Sequence, residues 1–255
     1  MYKLVASDLD GTLLLNGSHQ LNPEIFDLIL QLRERGIPFI AASGRQIASI
    51  RNLFKPIADK IHYISENGGI CLINNELSVT AEIQQELALQ ICHEILNRKN
   101  CNLIINCATT SYIFPDDEAF IYHIQHELNN DTTIIQDLSE IQEPIVKISA
   151  QDHADCLGSA KYFHDLFSSE IKVVTSGNDW IDFVPYGCNK GIALQIALDK
   201  LGICAKDAIV FGDQQKDLEM LKHAGTSYAM ATASSEVKSA ATAVTDSVEK
   251  ILRTI

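Results

Sequence analysis

Lys3-Leu4-Val5-Ala6-Ser7-Asp8-Leu9-Asp10-Gly11-Thr12 is the stretch around which the rest of the chain is organised. Leu4, Val5 and Ala6 form a short apolar run that reads as a buried strand. The run ends in two carboxylates, Asp8 and Asp10, and Gly11 and Thr12 follow at once. Glycine permits a tight turn with positive φ or a close approach of backbone to a ligand. In an open parallel α/β sheet, ligands sit beyond the carboxyl ends of the strands. This segment is therefore expected to carry two acids out of a dry strand into a cleft. Acids at i and i+2 suit one division of labour. The first can coordinate a hard cation and act as a nucleophile, and the second can move a proton. A strand end followed by a solvated acidic turn has the same pattern, so the residues downstream decide between the two.

Outward from this stretch the chain alternates between strand and helix. Asn22-Pro23-Glu24 is a helix start, with a cap, a proline in the first turn and an acid near the positive end of the dipole. That helix is expected to run to about Arg35 and to close at Gly36. Ile37–Ala42 is a second strand ending in Ser43-Gly44-Arg45, and residues 46–54 are a helix. His62–Ser65 is a third strand, ending in Glu66-Asn67-Gly68-Gly69. The alternation predicts βαβ units and a parallel sheet.

Near residue 70 the rhythm changes. Ile70–Ile73 and Leu77–Thr80 flank Asn74-Asn75, a hairpin turn by composition. Residues 82–98 carry Ile83, Leu87, Ile91 and Ile95 at a spacing of four, which predicts an amphipathic helix. Strands near 102–106, 111–114, 132–136, 144–149, 171–175 and 180–184, with helices near 117–128 and 152–167, make residues 81–185 a self-contained α+β insert. Trp180, Phe183 and Tyr186, near its end, are expected to pack in a core. The α/β pattern then resumes, with a helix over 190–202, a strand at 208–211 ending in Gly212-Asp213, a helix at 218–223, a strand at 228–230 and a helix over 247–253. The expected architecture is a doubly wound, mainly parallel α/β sheet formed by residues 1–80 and 186–255, interrupted by the insert.

Composition narrows the function. Hydrophobic residues make up 46% and charged residues 21% of 255 residues, ordinary for a globular chain with a sizeable core. The net charge of −13 and the lack of local basic clusters argue against a nucleic-acid binder. No apolar run reaches the ~18–20 residues that span a bilayer, and Asp8 and Asp10 interrupt any amino-terminal signal sequence. Seven scattered cysteines without a C-x-x-C spacing point to reduced thiols. A cytoplasmic protein with no membrane or nucleic-acid partner is expected.

Three further segments bear on chemistry. Ser43-Gly44 follows an apolar strand and opens a helix, so it is either a phosphate site or a plain helix cap. Lys190 begins a helix, where the dipole disfavours a cation. It is either a surface lysine or a group that neutralises a transferring phosphoryl group. Asp213 follows a strand and Asp217 lies one turn later; the pair either caps a helix or completes a metal site with Asp8. Arg45 and Glu66 each follow a strand end, and an ion pair between them is expected. Lys147, on the strand at 144–149, is one of several polar residues of the insert that can face a substrate.

The joint order of these segments is more specific than any one of them: D-x-D-G-T, then S-G-R, then N-K-G after a large insert, then G-D-x-x-x-D. It resembles the haloacid dehalogenase superfamily of phosphohydrolases, and more narrowly the Cof-like branch, whose large α/β cap lies between the second and third motifs. Glu66-Asn67-Gly68-Gly69 before the insert and Asp182-Phe183-Val184-Pro185-Tyr186-Gly187-Cys188-Asn189-Lys190-Gly191 after it fit that branch, and the likeness spans the chain. The resemblance implies that Asp8 is the nucleophile and a Mg²⁺ ligand. It implies that Asp10 is the acid/base and lends its backbone carbonyl to the metal, and that Asp213 is the third protein ligand. The Leu9 N–H, Ser43 and Gly44 would hold phosphoryl oxygens, Lys190 would offset their charge, and Asp217 would orient Lys190 or a metal-bound water. The insert, residues 81–185, would set specificity.

One position departs from that family pattern. Three residues after Asp213, where the family usually has an asparagine that touches phosphate, this chain has Lys216. A lysine there can contact phosphate as a point charge, turn to solvent, or repel the metal. The function implied is a Mg²⁺-dependent phosphatase acting on small phosphomonoesters, such as sugar phosphates or phosphorylated cofactors, through an aspartyl-phosphate. A phosphomutase, and a metabolite-binding regulator on the same scaffold, are the rival readings.

Overall fold

A computed structural model describes residues 2–176 and 179–255. The chain divides into two compact units, Met1–Ser78 with Asn189–Ile255, and Val79–Cys188.

The first unit opens with β1 (Leu4–Ser7), α1 (Glu24–Glu34), β2 (Phe39–Ala42), α2 (Ile47–Leu53), β3 (His62–Ser65), β4 (Ile70–Ile73) and β5 (Glu76–Val79). The asparagines between β4 and β5 take positive φ, 54° at Asn74 and 63° at Asn75, as a two-residue hairpin turn requires.

The second unit contains α3 (Gln85–Leu96), β6 (Cys101–Cys107), β7 (Ser111–Ile113), α4 (Glu118–Tyr122), β8 (Thr132–Ile134), β9 (Ile145–Asp152), α5 (Cys156–Phe167), β10 (Lys172–Ser176) and β11 (Trp180–Val184). Its sheet runs β10-β11-β9-β6-β7-β8 and is antiparallel except between β7 and β8. One face is apolar and packs Leu103, Ile105, Ile148, Ile181 and Phe183 against α3 and α5. On the other face a buried polar chain runs across the strands. Ser111 Oγ donates to Asn106 Oδ1 (2.8 Å), Asn106 Nδ2 to Ser149 Oγ (3.4 Å), and Ser149 Oγ to Asp182 Oδ1 (2.6 Å).

The chain then returns with α6 (Lys190–Leu201), β12 (Ala208–Gly212), α7 (Leu218–His223), β13 (Thr226–Met230), α8 (Ser235–Ala240), β14 (Ala243–Thr245) and α9 (Val248–Leu252). The sheet of this unit has the order β14-β13-β12-β1-β2-β3-β4-β5 and is parallel from β14 to β3. Alternate side chains enter two cores. Val5, Phe39, Ala41 and Phe211 meet α1, α2 and α9, while Leu4, Ala6, Ile40 and Val210 meet α6, α7 and α8. Helices therefore cover both faces, as a parallel sheet needs. The expected doubly wound sheet with an α+β insert is the architecture that forms.

Several local expectations are corrected. The helix expected over 82–98 begins at Gln85, because the Ile83 N–H donates to the Ile145 carbonyl (2.7 Å) from extended chain. The helix expected over 117–128 is α4 followed by a π turn at His123–Glu127. Phe183 does pack in the insert's core and Trp180 lies against Phe120, but Tyr186 is 58% exposed. Its hydroxyl instead donates to the Ser168 carbonyl at 2.5 Å. All seven cysteines are free thiols, and no helix among the described residues is long and apolar enough to cross a membrane.

Candidate active site

β1 lies between β12 and β2, with Ser7 opposite Phe211 on one side and Ala41 on the other. The Asp8 N–H continues the ladder to the Phe211 carbonyl (3.0 Å). These registers bring three strand exits to one level, namely Asp8 after β1, Ser43 after β2 and Asp213 after β12. The loop after β1 then crosses toward Asp213. Gly11 has φ +91°, and a Cβ there would lie 2.0 Å from Asp213 Oδ2, so only glycine fits. Thr12 Oγ1 donates to Asp213 Oδ1 (3.0 Å).

Asp8 is wholly buried. Its Oδ1 accepts from the Lys190 ammonium, while its Oδ2, also buried, has no hydrogen-bond partner among the described residues. Lys190 is itself fully buried at the start of α6, whose amino end is capped by Asn189 Oδ1 accepting from the Ile192 N–H (2.9 Å). The ammonium also donates to Asp217 Oδ1 at 2.6 Å. Asp217 Oδ2 accepts the N–H groups of Asp213 (3.1 Å) and Gln214 (3.0 Å), so both Asp217 oxygens are committed. That carboxylate fixes Lys190 and the turn that presents Asp213.

The electrostatics follow from this packing. Burial, then the neighbouring Asp217 charge, push the Asp8 carboxyl up to about 7 against the opposing pull of Lys190. Burial and Asp217 raise Asp213 as well. Burial opposes charge on Lys190, but the Asp217 and Asp8 carboxylates outweigh it and raise its pKa above the ordinary value. One oxygen from each of Asp8, Asp213 and Asp217 falls within a 4.8 Å cluster. A buried carboxylate oxygen without a donor, beside a second carboxylate and in excess negative charge, is what a hard divalent cation takes as ligand. The residues present fit such an ion.

Asp10 is held differently. Arg45 Nε donates to its Oδ2 (2.9 Å) and Nη2 to its Oδ1 (2.5 Å). Arg45 thus forks onto Asp10, not onto Glu66 as expected from the sequence, because β2 is the direct neighbour of β1. Burial pushes Asp10 up, and the Arg45 bonds and charge overcome it and lower its pKa. Ser43 is buried and is not the cap of α2, which begins at Ile47 after Gln46. Its Oγ accepts the Arg45 N–H (3.2 Å), which leaves the hydroxyl proton available to an acceptor. A Cβ on Gly44 would lie 2.5 Å from Asn67 Oδ1. The Leu9 N–H makes no hydrogen bond among the described residues. Lys216 sits half-buried on the turn Gln215–Asp217, and its charge acts on Asp8, Asp10 and Asp213. Lys147 is buried on β9.

Thr12, to which the sequence assigns no role, thus supports Asp213, and Arg45 pairs with Asp10 in place of Glu66. The position of Arg45, directly after the glycine at the end of the strand next to β1, was the available signal.

With this geometry in view, the sequence matches the haloacid dehalogenase-like hydrolase family over residues 5–252. The chain belongs to that family of enzymes. It is 25% identical over 240 residues to the 5-amino-6-(5-phospho-D-ribitylamino)uracil phosphatase YbjI of Escherichia coli, covering 94% of this chain and 89% of the relative. It is 28% identical over 236 residues to the HMP-PP phosphatase of Cronobacter sakazakii, covering 91% and 85%. A solved structure from Thermotoga maritima superposes with a TM-score of 0.86 at 28% identity, over 100% of this chain and 98% of the other. A haloacid dehalogenase-like hydrolase from Bacteroides thetaiotaomicron shares the fold, with a TM-score of 0.87 at 24% identity and coverage of 100% and 99%.

Proposed function

We propose that the chain is a Mg²⁺-dependent phosphatase that hydrolyses small phosphomonoesters through an aspartyl-phosphate on Asp8. The observation that carries this reading is the buried cluster in which Lys190 holds one Asp8 oxygen and leaves the other without a donor beside Asp213. Asp8, Asp213 and the Asp10 backbone carbonyl would hold the ion, whose charge would neutralise phosphoryl oxygens.

The chain's own groups perform the rest. An Asp8 oxygen attacks phosphorus as the bond to the ester oxygen breaks. Asp10 gives its proton to the departing alkoxide. A water then attacks the same phosphorus, Asp10 takes up the water's proton, and the bond from phosphorus to Asp8 breaks to release phosphate. The Leu9 N–H, the Ser43 hydroxyl and Gly44 hold the phosphoryl oxygens, and Lys190 offsets their charge. Asp217 keeps Lys190 in place. The named relatives are phosphatases of small phosphorylated compounds, which supports the same class here. The insert is proposed to set specificity. A cytoplasmic setting and small-metabolite substrates complete the reading.

The test is phosphate release from p-nitrophenyl phosphate, sugar phosphates, pyridoxal phosphate and flavin mononucleotide, with and without Mg²⁺, beside Asp8→Asn. Metal-dependent release that drops by a factor on the order of 10⁴ or more in Asp8→Asn is expected. Release from a folded Asp8→Asn variant at the wild-type rate would overturn the proposal.

A further inference from the structure

The site gathers four carboxylates, Asp8, Asp10, Asp213 and Asp217, and three cations, Arg45, Lys190 and Lys216. Two of the cations are committed. Lys190 is enclosed between Asp8 and Asp217, and Arg45 grips Asp10. Lys216 is not. Among the described residues its ammonium makes no hydrogen bond or ion pair, although its charge reaches Asp8, Asp10 and Asp213 together. It extends from the short turn Gln215–Asp217, whose backbone is already pinned by Asp217 accepting from Asp213 and Gln214. The turn therefore has no structural need of the lysine head group.

We propose that Lys216 is a resident cation that tunes the site toward the phosphate anion and against the divalent metal. With all groups ionised, the four carboxylates and three cations sum to −1; without Lys216 they sum to −2. A divalent cation gains less from the first arrangement than from the second, while a phosphate dianion is repelled less. The two effects have opposite signs because one charge acts on ligands of opposite charge. Lysine suits the task, since its ammonium is a compact point charge on a flexible stem that can follow either ligand. The functional consequence is an enzyme that needs more metal for saturation and holds its product phosphate longer. That consequence rests on the phosphatase reading above; the opposite response of the two affinities does not.

The experiment compares the full-length wild type with Lys216→Asn, Lys216→Gln and Lys216→Arg. Calorimetry reads Mg²⁺ affinity and inorganic phosphate affinity separately, and circular dichroism checks the fold. Removing one charge near a protein surface is expected to shift the affinity of a doubly charged ligand about tenfold. The two neutral variants should bind Mg²⁺ about tenfold more tightly and phosphate about tenfold more weakly, and Lys216→Arg should stay near wild type for both. Affinities that do not move, or that move in the same direction, overturn the inference. If the opposite shifts occur in a protein that releases no phosphate from any ester, the inference stands and the phosphatase reading falls. If the wild type turns over esters and the neutral variants leave both affinities unchanged, the reverse holds. A wild type that binds neither ion overturns both.

Discussion

Arg45 and Asp10 form a two-pronged ion pair, with Nε 2.9 Å from one carboxylate oxygen and Nη2 2.5 Å from the other. The residue proposed to donate a proton to the leaving group is thus held toward its ionised form by the residue that follows Gly44. Arg45 sets how readily Asp10 carries its proton. Arg45→Met removes both bonds and raises the Asp10 pKa toward and past its ordinary value, because burial then acts unopposed by the guanidinium. The protonated form persists to higher pH, so the alkaline limb of the pH–rate profile should move upward. Arg45→Lys, which keeps a charge without the fork, should move it less. A limb that stays in place while only KM changes would show that Arg45 acts on the substrate instead.

Losing Lys190 is expected to cost the fold as well as the proposed site. Its ammonium is fully buried between Asp8 and Asp217. Removing one partner of a buried ion pair leaves uncompensated charge and costs about 3–5 kcal/mol. Lys190→Met should lose that much in urea unfolding without metal, and Lys190→Met with Asp217→Asn should recover part of it by removing one of the two stranded carboxylates. A loss below about 1 kcal/mol would place the lysine charge in contact with water.

Gly11 and Gly17 separate backbone strain from site geometry. Both have positive φ, +91° and +71°, so alanine is strained at either. At Gly17 the added Cβ meets nothing within 4 Å, whereas at Gly11 it meets Asp213 Oδ2 at 2.0 Å. Gly17→Ala should therefore cost about 1 kcal/mol of stability and leave metal affinity unchanged. Gly11→Ala should displace Asp213 and weaken Mg²⁺ binding about 10–100-fold, the range seen when a ligand loses its support. Equal metal affinities in the two variants would remove Asp213 from the proposed metal site.

The sequence carried the strand exits because each combines an apolar run with an abrupt polar end, as at Leu4–Asp8 and Ala208–Asp213. It did not carry which strands are neighbours. The Arg45–Asp10 pair depends on β2 lying beside β1, so a residue-by-residue reading assigned Arg45 to Glu66. Helical spacing misled at Ile83, an apolar residue that is buried from extended chain by pairing with Ile145. The last strand, Ala243–Thr245, and the helix Ser235–Ala240 were not anticipated, being too short to show a period. Tyr186 looked like a core residue by type, yet its hydroxyl reaches the Ser168 carbonyl and its ring stays exposed.

Asp152 offers a pH test away from the site. It ends β9 in the insert, almost fully buried, and accepts Ser159 Oγ (2.6 Å) and the N–H groups of Ala154 and Asp155 (2.9 Å each). Burial pushes its pKa up, but the bonds from Ser159 and the two amides outweigh that and hold it below the usual carboxylate range. A carboxylate whose folded pKa is depressed binds protons more weakly folded than unfolded. Its contribution is therefore fully present above the unfolded value near 3.8 and is lost as pH falls through the lower folded value. Asp152→Asn keeps the shape but cannot accept all three bonds with both oxygens, and should cost about 1–3 kcal/mol near neutral pH. The gap between wild type and variant in thermal unfolding should hold from pH 7 down to the ordinary carboxylate range and narrow below it. A gap that is constant into strong acid would mean that the Asp152 charge contributes nothing and that only its shape matters.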